Sequence, residues 1–125
     1  GIQYISVNAR LILAARDRLL SGAAPRPFLA LIAQLSPASS DWVTACPILA
    51  DCLAEFAVSR LMTPSARQQL ITHVLCAVFP DGASQRYIRP LQHELAARLM
   101  LAPIHMHETL NTMNTWARFN PPRSK

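Results

Sequence analysis

Proline spacing limits this fold more than any other feature of the chain. Ten prolines cut the sequence into pieces no longer than one helix each, because proline lacks an N–H to donate and clashes with the preceding turn. Between the prolines, apolar residues recur at helical rather than alternating spacing. Three glycines leave little to turn strands with. The reading is an all-α fold: a compact orthogonal or up-down bundle of five to six short helices.

The first segment, about Tyr4–Leu20, sets Ile5, Ala9, Ile12 and Leu19 on one side. Ser6, Arg10, Asp17 and Arg18 fall opposite. Leu11, Leu13 and Leu20 widen the apolar face, and Arg16 lies inside it, so Arg16 either snorkels or pairs with a carboxylate. Gly22 is a stop signal. Pro25 and Pro27 confine a second helix to about Arg26–Leu35, with Phe28, Leu29, Ile32 and Leu35 as its face. Ser36–Ser40 is a connection, and Ser39 or Ser40 caps the next segment, Asp41–Leu61. Pro47 leaves two readings there: a turn followed by a helix, or one kinked helix. The core face is Ile48, Leu49, Cys52, Leu53, Phe56, Ala57 and Leu61, with Asp51, Glu55 and Ser59 opposite.

Thr63 followed by Pro64 reads as cap and first helical position of a fourth helix. Leu70, Ile71, Val74, Leu75 and Val78 carry it to about Phe79. Pro80–Asp81–Gly82 is a turn, and Ser84 caps a fifth helix whose stripe is Ile88, Leu91, Leu95 and Leu99. Pro90 bends that helix or delays its start, and Glu94 and Arg98 are spaced for an i, i+4 ion pair. Pro103 opens a last helix with Met106, Leu110, Met113 and Ala117 on one face.

With 51% hydrophobic and 15% charged residues among 125, the chain is apolar enough to bury a core and too short for most two-domain enzymes. Residues 1–119 read as a single helical domain and 120–125 as a flexible C-terminal tail that holds Arg123 and Lys125. The first residue is Gly rather than Met, which fits a domain of a larger protein. No run approaches eighteen consecutive apolar residues, so no membrane span is expected. Cys46, Cys52 and Cys76 are an odd set in apolar surroundings and read as buried free thiols, which points to a reducing, cytoplasmic setting.

Candidate chemistry is sparse. His105 and His107 fall about 200° apart on a helix and cannot share a face with a metal. His73 and Cys76 are one turn apart, but Cys76 sits beside core residues. Asp51 and Glu55 form a solvated acidic column, or bind an arginine from a partner or, with help from elsewhere, a metal. No phosphate loop, nucleophile elbow or dinucleotide fingerprint is present. The chain is therefore read as non-catalytic, with no metal, no cofactor and no small-molecule substrate; a small metal-independent enzyme is the third choice.

Two binding readings remain. The apolar surplus favours burial against another chain or a second copy, as an adaptor, oligomerisation or homodimer module. The contact surface expected for it joins Met106, Leu110, Met113, Trp116 and Phe119 of the last helix with Arg10 and Arg18 of the first. The rival follows from charge: twelve basic residues against seven acidic give +5. The fourth helix, the turn and the fifth helix outline a helix-turn-helix, with Ser84, Gln85, Arg86, Arg89 and His93 facing DNA. Pro90 and the turn chemistry weigh against it. Trp42 and Trp116, each near a helix end, read as seals for the core or as partner anchors.

Overall fold

A computed structural model describes residues 6–22, 24–82 and 84–120. These residues form six helices and no strand: α1 Val7–Ser21, α2 Arg26–Ile32, α3 Trp42–Ser59, α4 Pro64–Val78, α5 Gln85–Leu99 and α6 Pro103–Phe119. Tyr4, Ile5, Arg123 and Lys125, and the tail beyond Asn120, lie outside the described residues.

The packed helix pairs close into a ring. Going round it, α1 packs on α2, α2 on α4, α4 on α6, α6 on α5, α5 on α3 and α3 on α1. Consecutive pairs α2/α3, α3/α4 and α4/α5 have no comparable packing, so the connectivity departs from a simple up-down order. The ring is filled by one apolar cluster that includes Ile12, Leu19, Phe28, Ile32, Leu49, Leu53, Ile71, Leu75, Leu91 and Leu95.

Local chemistry sets the helix ends. The Ser6 hydroxyl accepts from the Ala9 N–H at 3.0 Å, and Thr63 does the same for Ala66 at 3.2 Å, with Pro64 first in its helix. Ser84 occupies the cap position of α5 without a side-chain cap bond. Neither Ser39 nor Ser40 caps α3: Asp41 stands at the cap, and the Ser39 hydroxyl donates to its carboxylate instead. Gly22 ends α1 with φ −86°, not in the left-handed region. Its glycine is needed for space, because a Cβ there would lie 2.6 Å from the Arg18 carbonyl oxygen. Gly82 is different, with φ +85° in the turn after α4.

Pro47 and Pro90 both lie inside continuous helices, so α3 is one helix from Trp42 and α5 starts at Gln85. Each removes one N–H from its ladder; the carbonyls left over belong to exposed residues, Val43 and Arg86. α2 is shorter than its pattern and ends at Ile32; Leu35 still reaches the core through tighter turns, Gln34 N–H to Leu31 and Leu35 N–H to Ile32. α3 is long and apolar enough to cross a membrane by length and composition. Here half of it is buried inside the bundle, and Asp51 and Glu55 on it are ion-paired to arginines of α5 and α1.

Two buried side chains, Asn8 and Trp42, make polar contacts that fasten the ring. Asn8 is fully buried: its amide donates to the Ser36 carbonyl and to Asp41 at 3.0 Å each and accepts from the Ser36 N–H at 2.9 Å. The Asp41 carboxylate also accepts from the Asn8 backbone N–H at 3.3 Å, an anion at the amino end of α1. Trp42 is buried, donates its indole N–H to the Tyr87 carbonyl at 2.6 Å, and meets Phe79 edge-on at 6.1 Å. It therefore seals the α3–α5 contact and is not available as an anchor.

Candidate functional site

The last-helix surface read from the sequence is divided by the fold. Met106 and Met113 point into the core, at 3% and 0% exposure, and Leu110 packs half-buried against it. They correct the expected contact face, because a partner cannot reach a side chain that already fills the ring. Trp116 and Phe119 remain exposed on α6, and Arg10 and Arg18 on α1. α6 packs on α4 and α5 while α1 packs on α2 and α3, so the two sets do not make one patch. Trp116 instead lines a shallow groove of about 450 Å³ with Leu29, Thr72, His73 and Cys76.

The set proposed for DNA is exposed throughout: Ser84, Gln85, Arg86, Arg89 and His93 all lie on the outer side of α5. Gln85, Arg89 and His93 line a more polar groove of about 530 Å³ beside Gln92 and Met106. The Arg86 guanidinium lies 5.8 Å from the Tyr87 ring. A helix-turn-helix holds its two helices against each other, whereas α4 and α5 here have no comparable mutual packing and meet through α6.

Catalytic groups are dispersed. Among the described residues no three His, Cys, Asp or Glu side chains converge to hold a metal ion. Burial pushes the Cys46 thiol up to about 12 and the Cys52 thiol up to about 11, and it raises Cys76 as well, away from a reactive thiolate. The acidic column of α3 is used internally. Glu55 takes a bidentate contact from Arg16 at 2.8 Å, and Asp51 takes Arg98 at 2.5 Å, with Glu94 completing the triad through its i, i+4 pair. Arg16 thus pairs with a carboxylate, one of its two sequence readings.

A site that the sequence reading missed lies where α3 and α5 end. Leu61 belongs to the expected core face, yet it is 88% exposed. α3 stops at Ser59, and Leu61 enters the left-handed region at φ 50°, while its N–H bonds the Val58 carbonyl and the Met62 N–H bonds Ala57. That paired closure of a helix end favours glycine, and here a leucine makes it. Met100 also takes left-handed backbone at the end of α5, with φ 56° and 81% exposure. Both side chains, with exposed Val58, border one groove of about 420 Å³ over Ala54, Ala57, Met62 and Leu99. Its two charged members are Arg67 and Arg98.

Arg98 is neutralised by Asp51 and Glu94, whereas Arg67 has no carboxylate partner among the described residues. Its Nε is buried without a hydrogen bond, and its Nη1 reaches the Met62 carbonyl only at 3.5 Å. A sequence signal for this site exists. α3 and α5 must each stop before a strong start signal, at Thr63–Pro64 and at Pro103, and no glycine lies between. Where these ends close through left-handed backbone, a large residue therefore takes that position. Comparison of the chain with family models, with curated proteins and with solved structures finds no match, so the geometry alone carries the functional reading.

Proposed function

We propose that this chain is a non-catalytic protein-interaction module of the adaptor type, and that the α3–α5 groove is its contact surface. The observation that supports it is the doubled one at the helix ends. Leu61 and Met100 hold left-handed backbone at φ 50° and 56°, with their side chains turned to solvent on one groove. A non-glycine residue in that region costs about 1–2 kcal/mol, and neither side chain offsets the cost by packing inside the chain. Strain kept at exposed apolar positions is accounted for by a contact made outside the chain.

Burying Val58, Leu61 and Met100 together would contribute roughly 5 kcal/mol or more before association entropy is subtracted, which suits a reversible contact. Three free cysteines accord with a reducing, cytoplasmic setting. The test is panning a displayed library of random twelve-residue peptides on the immobilised full chain. Enriched peptides should be lost on a Leu61→Asp, Met100→Asp variant that still melts cooperatively. Peptides that ignore both substitutions would place the contact elsewhere.

A further inference from the structure

We propose that the occupant of this groove is an acidic protein segment that seats an aliphatic or aromatic side chain between Leu61 and Met100 and gives a carboxylate to Arg67. The assignment rests on the groove being the contact surface. Its apolar lining asks for an apolar side chain, and the one cation on it without an anion asks for a negative group. Guanidinium is suited to that role because its planar fork meets a carboxylate through two donors.

Charge elsewhere on the chain points to the same partner. The chain carries +5. Of its seven acidic residues, Asp17, Asp41, Asp51, Glu55, Glu94 and Glu108 already meet arginines or hydrogen-bond donors of the same chain. Meanwhile Arg10, Arg18, Arg26, Arg86, Arg89 and Arg118 stand exposed. A second copy therefore brings mostly more positive charge and few uncommitted carboxylates, while an acidic partner is drawn toward the surface.

The probe is the same random twelve-residue library panned on the full chain. Its enriched peptides should carry Asp or Glu within four residues of a Leu, Ile, Met or Phe. A synthetic copy of the best peptide should bind about tenfold more weakly when its acid is changed to the amide, and similarly to an Arg67→Gln chain. The two changes together should weaken binding no further than either alone, and Arg67→Lys should retain part of the affinity. The acid-to-amide comparison on the unmodified chain stands even if an Arg67 variant fails to fold.

Peptides that depend on Leu61 but are neutral or basic would overturn the acidic assignment while the interaction reading survives. So would a concentration-dependent doubling of mass in light scattering that Leu61→Asp abolishes, since the occupant would then be a second copy. A library with no Leu61-dependent peptide overturns both.

Discussion

Leu61 and Met100 follow the two helices that pack most extensively on each other, each in left-handed backbone and each with its side chain on the same groove. Helix ends of this kind are normally closed by glycine, which has no Cβ to strain. All three glycines are spent elsewhere, and two of them have visible reasons. Gly22 avoids a collision with the Arg18 carbonyl, and Gly82 adopts φ +85°. The groove residues therefore carry strain that a single glycine at each place would relieve.

Asn8 is the polar pin between α1 and the connection into α3, and its replacement should be costly. Asn8→Ala removes three side-chain hydrogen bonds and takes from the Ser36 N–H and carbonyl their partner on α1. A loss of about 2–3 kcal/mol is expected in urea unfolding. Asn8→Asp should lose more at neutral pH than at pH 3, because its carboxylate then faces Asp41. Equal losses at the two pH values would show that Asn8 and Asp41 do not interact as described.

The Asp41 carboxyl is held down at about 2 by the Ser39 and Ser6 hydroxyls and the Asn8 N–H, against an ordinary value of 3.8. A depressed acid stabilises the fold fully above its unfolded pKa and loses that contribution as pH falls toward the folded one. The urea midpoint should therefore fall between about pH 4 and pH 2, and an Asp41→Asn chain should show a shallower acid limb over that window. An unchanged limb would assign acid sensitivity to other carboxylates.

Buried thiols give the opposite sign. The Cys46 and Cys52 pKa values lie near 12 and 11, above the usual 9.0, so their contribution is intact at neutral pH and is lost as pH rises above about 9. Thiol titration of the native chain at pH 8 should label half-buried Cys76 first. Cys46 and Cys52 should react only as fast as the chain opens. Equal rates for the three would contradict the packing of α3.

Signals carried by a few neighbouring residues were legible in the sequence. The Thr63–Pro64 start, the Glu94–Arg98 pair and the apolar stripe of α5 could be read because each depends on spacing within one or two turns. The ring order could not, since nothing local tells α3 to leave α2 and pack between α1 and α5. The α6 periodicity marks an apolar face but not which part a neighbour covers. Met106 and Met113 are consumed by the core, while Trp116 and Phe119, beyond the covered part, stay exposed. Leu61 misled because the count of helical positions continues past Ser59 while the backbone does not.

The central claim is tested most directly by a Leu61→Gly, Met100→Gly chain, measured for both melting temperature and retention of the groove-dependent peptides. Relief of the left-handed strain should stabilise the fold by about 1 kcal/mol at each position, roughly 3–5 °C per site, while peptide retention falls at least about tenfold. A chain that melts lower and still retains the peptides would contradict the account, because the two side chains would then serve the fold and not a partner.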